Sequence, residues 1–408
     1  MELLHRRCAG LDVHRDTVVA CVRIEEEGKL TEEVRTFGTT TRELLALGDW
    51  LESQGCTHAA MESTGVYWKP VWAILEDRLT LVLGNAHDLK NVPGRKSDVK
   101  DSKWIADLLA HGLIRASFVP PAPIQEMRDI TRTRKQLIRE ITQHVQRLGK
   151  VLESANIKLS SVLTDIMGTS GRKVIEALIA NQTDPEKLLP MISRRVKASK
   201  EQLREALRGR INEHHRFLLG IHLEQIRASE RSVAELEARL GGVLDNFREA
   251  VDRLATIPGV SLTVASVILA EIGVDMSRFP TAGHLISWAG LCPRSDESAG
   301  KKLSSRLRKG SNWLKTVLVQ AAWAATRAKS TYLQAQFLRI KSRRGPKKAI
   351  LAVAASMLTS VYYMLTRNQD YQELGGNYFL RRDRSRLVKN LVNRLKELGV
   401  EVTVPPAA

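Results

Sequence analysis

Cysteine is scarce, with only 4 in a chain of 408 residues. Cys8, Cys21, Cys56 and Cys292 are scattered, and no two stand in a C-x-x-C pair. This excludes a disulfide framework and a zinc knuckle, and it suits a reducing compartment such as the prokaryotic cytoplasm. Aromatic residues make up 5% of the chain, which leaves few surfaces on which bases could stack. The first seven residues, Met-Glu-Leu-Leu-His-Arg-Arg, lack an apolar signal region, so no export is expected. Acidic residues are missing altogether from Ser298 through Gln369, a stretch that holds Lys301, Lys302, Arg306, Arg308, Lys309, Lys315, Arg339, Lys341, Arg343, Arg344, Lys347 and Lys348. Ordinary solvated surfaces mix both signs, so this run calls for a polyanionic partner.

The whole chain leans the same way. Lys and Arg total 63 against 45 for Asp and Glu, a net charge of +18. A hydrophobic fraction of 43% over this length allows several buried cores and two to four domains. One segment, Ala349 to Thr366, carries no charge over nearly the length of a membrane span. Its Ala, Ser and Thr content and the adjacent Tyr362 and Tyr363 point to a buried core helix, and no membrane partner is expected.

Reading along the chain, alternating apolar residues predict strands at Arg7–Val13, Thr17–Ile24 and Leu30–Phe37, separated by short polar turns. A helix over Arg42–Glu52, a strand at His58–Glu62, a helix around Trp68–Glu76 and a strand at Leu79–Leu83 follow. Three antiparallel strands and then alternating helix and strand are the order of a ribonuclease-H-like sheet. Asp12 falls inside the first strand between Leu11 and Val13, and Glu62 ends the fourth. A carboxylate in a buried strand is costly unless something cationic meets it.

The stretch Lys96-Ser-Asp-Val-Lys-Asp-Ser-Lys-Trp104 offers more of the same chemistry. Asp98 and Asp101 stand three apart, on one face of a helix that would run on through Leu108. Asp12, Glu62, Asp98 and Asp101 would be hard oxygen ligands for Mg²⁺ or Mn²⁺, while Lys96, Lys100 and Lys103 suit a phosphate. Two such cations about 4 Å apart can clamp the attacking and leaving oxygens of a phosphodiester. Asp107 points off this face and reads as plain surface.

Pro120-Pro121-Ala122-Pro123 reads as a linker. Beyond it Met127, Ile130, Leu137, Ile141, Leu148 and Val151 occupy alternating three- and four-residue steps in which Arg134 and His144 fill two of the positions, and Val233, Leu236, Leu240, Val243, Phe247, Ala250 and Leu254 keep the same rhythm. Such helices pack within one subunit or build a dimerising coiled coil. Residues 168–216 between them are polar and irregular, with shorter helices, and His214-His215 read as surface or packing residues. Near Thr256 a third unit begins, with Ile257-Pro258-Gly259-Val260 and the apolar Val264–Ile272 forming a helix-hairpin-helix-like element whose turn could meet a phosphate. An amphipathic helix over Leu387–Leu398 ends the chain.

These motifs in this order resemble the DEDD transposases of the IS110 insertion-sequence family. The resemblance rests on Asp12, Glu62 and Asp98-x-x-Asp101, on Ser170-Gly-Arg and Glu213-His-His-Arg, and on Pro258-Gly-Val, Trp288-Ala-Gly-Leu-x-Pro293, Ser298-Ala-Gly and Lys309-Gly-Ser-Asn312. It implies an α/β plus α architecture. A RuvC-like nuclease domain would occupy 1–120, a helical coiled-coil region 124–255, a transposase domain 256–370 and a basic tail 371–408. It implies metal-binding acids at Asp12, Glu62, Asp98 and Asp101 and a nucleophilic serine at Ser298. The family loop commonly reads Ser-Gly-Gly or Ser-Gly where this chain has Ala299, and Ser295 is the nearest rival.

The implied function is a recombinase that excises and inserts its own element through a covalent phosphoserine. Its implied partners are donor and target DNA, a bridge RNA that selects them, and further copies of the chain in a dimer or tetramer. Lys96, Lys100, Lys301, Lys302, Arg306, Arg308 and Lys309 would meet backbone phosphates. Two rival readings remain: a metal-only RuvC-like junction nuclease, and a non-catalytic nucleic-acid-binding scaffold.

Overall fold

A computed structural model describes residues 3–63, 65–85, 89, 101–293, 296–298, 301–304, 306–308, 310–382 and 384–400. The chain divides into two compact units, 1–119 and 120–408.

The first unit is built on five strands: β1 (Arg7–Val13), β2 (Thr17–Glu26), β3 (Lys29–Gly38), β4 (His58–Glu62) and β5 (Thr80–Gly84). They lie in the order β3-β2-β1-β4-β5. The β1-β2-β3 meander is antiparallel, whereas β4 runs parallel to β1 and β5 parallel to β4. The two faces differ as the period of two requires. Leu11, Val13, Val18, Ala20, Ala59 and Met61 pack with helices α1 (Thr41–Ser53) and α2 (Trp68–Leu75) through Leu44, Leu47, Leu51, Val71 and Leu75. On the other face Cys8 and Ala60 meet Ile105, Leu109 and Ala110 of α3 (Asp101–Ala110).

The second unit is helical. Helix α4 (Ala122–Ser154) opens with Pro123 in its first turn, where the missing N–H costs no hydrogen bond, so the end of the expected linker is already helix. After α4 come α5 (Thr169–Ile179), α6 (Lys200–Leu207) and α7 (Glu213–Leu244). Helices α4 and α7 lie antiparallel, tied by ion pairs Arg239–Glu126 and Arg134–Glu237 at 2.6 Å each. The apolar rhythm expected to run unbroken from Val233 to Leu254 does not lie on one helix. A 3₁₀ turn at Asp245–Phe247 separates α7 from α8 (Arg248–Ala255). The region expected to be polar and irregular has its own core, in which Val174, Ile175, Leu178, Leu203 and Leu207 close on Leu148, Leu152 and Leu219. Asn212 caps α7, its Oδ1 accepting the His215 backbone N–H at 2.9 Å while His215 Nδ1 accepts the Asn212 N–H at 3.3 Å.

Longer helices follow: α9 (Leu262–Ile272), α10 (Ala282–Trp288), α11 (Asn312–Ala325), α12 (Tyr332–Arg344), α13 (Pro346–Arg367) and α14 (Arg384–Glu397). Between α10 and α11 a small hairpin pairs β6 (Asp296–Ser298) with β7 (Lys301–Ser304). Helix α13 is long and apolar enough to cross a membrane. Its Ile350, Val353, Ala354, Met357, Leu358 and Val361 are core residues, and Tyr362 donates its hydroxyl to the Phe279 carbonyl at 3.0 Å. Gly259, in the turn between α8 and α9, presses on the backbone of α11, where an added Cβ would lie 2.4 Å from the Ala321 carbonyl oxygen. That turn is a packing joint within the core.

Candidate active site

In the first unit, strand register brings two of the expected acids together. Leu11 of β1 pairs with Met61 of β4, so Asp12 and Glu62 are the next residues at adjacent C-terminal strand ends. Both share the sheet face of Cys8, Gly10 and Ala60, which α3 covers. The direction of α3 follows from its contacts along β1. The Cys8 thiol approaches the Ala106 carbonyl at 3.6 Å, and two residues further a Cβ on Gly10 would lie 2.1 Å from the Ser102 carbonyl oxygen. Helix and strand therefore run in opposite senses, and the N-terminal end of α3, with Asp101, points toward Asp12. Only a residue without a side chain at position 10 lets the helix approach this closely.

Asp12 is a quarter exposed, with Oδ2 at 3.1 Å from His14 Nε2. Among the described residues, no three His, Cys, Asp or Glu side chains come together as a metal centre. Asp98, Lys96 and Lys100 lie outside the described residues. The two expected acids described at the strand ends, Asp12 and Glu62, offer carboxylate oxygens, with the His14 imidazole beside Asp12; carboxylate oxygen suits Mg²⁺ or Mn²⁺ rather than a soft metal. Cysteine does not compete as a nucleophile in this unit, because burial pushes Cys8 up to about 12 and Cys21 and Cys56 up to about 11.

Two neighbours of the acids have other roles than expected. Asp107 is no plain surface residue: it stands 3.4 Å from the guanidinium of the buried Arg23 and 3.5 Å from His111. Lys103 donates to Glu32 at 2.9 Å, which raises its pKa and occupies it.

In the second unit, Ser298 ends β6 opposite Lys301 of β7. The side chains of Ser298, Lys301 and Lys302, and all of Lys309, lie outside the described residues. The root of the hairpin is well defined. Pro293 bridges to Leu307, and the Arg308 N–H donates to the Cys292 carbonyl at 3.1 Å. Gly290 (φ 69°) and Gly310 touch backbone to backbone, where a Cβ on Gly310 would meet Gly290 N at 2.5 Å. Thus Trp288-Ala-Gly-Leu-Cys-Pro293 and Gly310-Ser-Asn312, separate motifs in sequence, form the two sides of one neck. Arg308 is exposed but donates Nη1 to Ser287 Oγ at 2.7 Å, so it braces this neck; Arg306 is exposed at its edge.

Sequence reasoning missed a buried acid beneath the neck, paired with an arginine that is itself about a third exposed. Glu271, 1% exposed, accepts two N–H groups from Arg132 of α4 at 2.8 and 2.9 Å and the Ser311 hydroxyl at 3.1 Å. Arg128 adds bonds to the carbonyls of Ala270 and Glu271 at 2.9 and 2.8 Å, and burial lowers its pKa. The guanidinium groups of Arg132 and Arg139 each stand 5.5 Å from the Trp313 ring centroid. The signal was present: a lone acid inside the apolar Val264–Ile272 run, the same signature that singled out Asp12.

Comparison with known proteins gives the class first. A family model described as Transposase matches residues 9–157, which include the acid-bearing sheet and the whole of α4. A second, described as Transposase IS116/IS110/IS902 family, matches residues 251–337, which include the hairpin and its neck. The chain belongs to the IS110 family of transposases. Among curated relatives, the "Insertion element IS110 uncharacterized 43.6 kDa protein" of Streptomyces coelicolor is 31% identical over 141 residues, 34% of each chain. The "Pilin gene-inverting protein" of Moraxella lacunata is 28% identical over 159 residues, and that of Moraxella bovis 29% over 157. Each Moraxella match covers 37% of this chain and 48% of the relative. The matched region thus spans between a third and a half of these relatives.

Proposed function

We propose that the chain is a DNA transposase that cleaves and rejoins strands through a covalent bond between DNA and Ser298, with the acids of a RuvC-like sheet holding a divalent cation. The observation that carries this reading is the pairing of Asp12 and Glu62 at adjacent strand ends with α3 aimed at them, in the first of two transposase-matched segments. The 3-2-1-4-5 strand order and the mixed parallel and antiparallel pairing support the ribonuclease-H-like assignment. Asp12, Glu62, Asp98 and Asp101 would hold Mg²⁺ or Mn²⁺, which when bound supplies positive charge against the phosphate and its leaving oxygen.

Serine is a weak nucleophile until its proton is removed. In the proposed step the Ser298 oxygen gives up its proton and bonds to phosphorus as the sugar oxygen of the broken strand leaves and takes up a proton. A hydroxyl from a second strand reverses the exchange, releasing Ser298 and joining the new ends. The diester energy is kept, so no nucleotide cofactor is needed. Lys301, Lys302, Arg306, Arg308 and Lys309, with Lys96 and Lys100 in the first unit, would neutralise backbone phosphates and contribute affinity. Sequence choice is delegated to pairing with a bridge RNA encoded beside the gene, consistent with the shortage of aromatic stacking surface. The α4–α7 region builds a dimer or tetramer. The pilin gene-inverting relatives, by their printed name, rearrange DNA, which favours joining over the hydrolysis of a metal-only nuclease.

The test is Ser298→Ala on DNA carrying the ends of the encoding element. Loss of strand cleavage and of any denaturant-resistant protein–DNA adduct is expected. Retained cleavage would leave a metal-only nuclease, and Asp98→Asn without effect would leave a binding scaffold.

A further inference from the structure

Glu271 is the one buried acid among the described residues, and the reaction as read above gives it no task. A buried ion pair is a poor device for stability alone, since apolar residues of similar volume often do as well or better. What such a pair does supply is direction, because each bond has a fixed angle and partner. Here the direction converges on one hydroxyl. Ser311 caps α11, accepting the N–H of Leu314 at 3.3 Å, while its own proton goes to Glu271 at 3.1 Å. With both capacities used, Ser311 is held against rotation. Glu271 in turn cannot swing, because Arg132 takes both of its oxygens.

Ser311 adjoins Gly310, the point where the outgoing side of the neck touches Gly290 of the incoming side. Beyond that contact lie the Arg308–Cys292 bond, the Pro293–Leu307 bridge and the hairpin that ends β6 with Ser298. The chain of fixed contacts therefore runs from Arg132 on α4 through Glu271 on α9 to Ser311, and from there into the root of the hairpin. We infer that Glu271, clamped by Arg132, is a positioning residue that orients the Ser298 hairpin through Ser311. This rests on the reading of Ser298 as nucleophile. An attacking oxygen displaced by about 1 Å loses roughly a hundredfold in rate, so a braced hairpin root has a kinetic purpose that a stable core does not require.

The experiment uses the full chain, Mg²⁺, a duplex carrying the ends of the encoding element, and a transcript of the noncoding flank. Three quantities are read: the rate of Ser298–DNA adduct formation, the affinity for the duplex, and the melting temperature. Glu271→Gln puts an amide N–H against either Arg132 or the Ser311 proton, and is expected to slow adduct formation by about 10- to 100-fold. Duplex affinity should stay close to that of the parent, while the melting temperature falls only by what the loss of one charge from the pair costs. Ser311→Ala should reproduce the slowing, while Ser311→Thr, which keeps the hydroxyl, should restore the rate. Parent-like rates in both Glu271→Gln and Ser311→Ala would overturn the inference, as would slowing matched by equal losses of affinity and melting temperature. Ser298→Ala run alongside separates the two levels. If it loses the adduct while Glu271→Gln keeps the parent rate, the clamp alone fails; if it still cleaves, the nucleophile reading fails and the clamp with it.

Discussion

Gly10 shows how far a single position can govern the candidate site. A methyl group there would sit 2.1 Å from the Ser102 carbonyl oxygen and 2.3 Å from the Ala106 amide nitrogen, both backbone atoms that cannot turn aside. Gly10→Ala must therefore push α3 off the sheet. The expected cost is about 3 kcal/mol, at the upper end of ordinary overpacking, measured as a shift in chemical denaturation of the first unit. Because the displaced helix carries Asp101 at its start, cleavage should fall further than stability, and a fully active, fully stable Gly10→Ala protein would contradict the packing. The acids themselves were legible in the sequence, since a carboxylate between Leu11 and Val13 needs a reason. Gly10 was not, because the need for glycine arises only when a second backbone crosses the strand.

At the scale of elements, the antiparallel α4–α7 pair holds a histidine contact, His144 Nδ1 to His222 Nδ1 at 3.2 Å. His222 has a lowered pKa, chiefly because burial disfavours its charged form, with the nearby His144 and then Arg147 adding to the effect. The sign follows from linkage. The unfolded chain binds a proton at His222 near the ordinary 6.5, whereas the folded pair binds it only at lower pH, so stability is present in full above that value and declines as pH falls below it. Thermal unfolding followed between pH 7.5 and pH 5.5 (about one unit either side of the ordinary histidine value) should show a falling melting temperature for the parent. The fall should be smaller for His222→Gln, and an identical pH profile in the two proteins would remove the histidine from the account. The pairing of α4 with α7 could be anticipated from their three- and four-residue apolar steps. The break at Asp245–Phe247 could not, because the apolar spacing continues across it and only the packing of α8 on α9 and α13 requires a new helix axis.

For the whole molecule, the net charge of +18 is the dominant physical fact. Each phosphate neutralised by a lysine or arginine releases condensed counterions, so affinity for duplex DNA should fall steeply with salt. Replacing Lys301, Lys302 and Arg306 together by Gln should flatten the plot of log affinity against log salt by about 0.9 for each phosphate that is no longer neutralised. An unchanged slope, measured by fluorescence anisotropy on a duplex, would place the phosphate-binding cations elsewhere. The acid-free run also contains α13, whose length and apolarity alone fit a membrane span. Its buried Val353, Ala354, Met357, Leu358 and Val361 instead fill the core shared with α9 and α11.

Composition and periodicity by themselves determined the mixed sheet, the long helices, the absence of disulfides, the basic C-terminal run and the four candidate acids. These are local properties: alternation of two or 3.6, a charge where an apolar residue is expected, a run of one sign. Which acids stand side by side was decided by register, since the Leu11–Met61 pairing sets Asp12 beside Glu62. The neck that presents Ser298 was likewise invisible, because the two segments that touch at Gly290 and Gly310 are separated in sequence by the hairpin itself. Glu271 carried a local signal, a charge in an apolar run, but its meaning depended on Arg132 and Ser311, brought to it from different helices. Burial, register and long-range partners are properties of the packed chain, and no single stretch of sequence contains them.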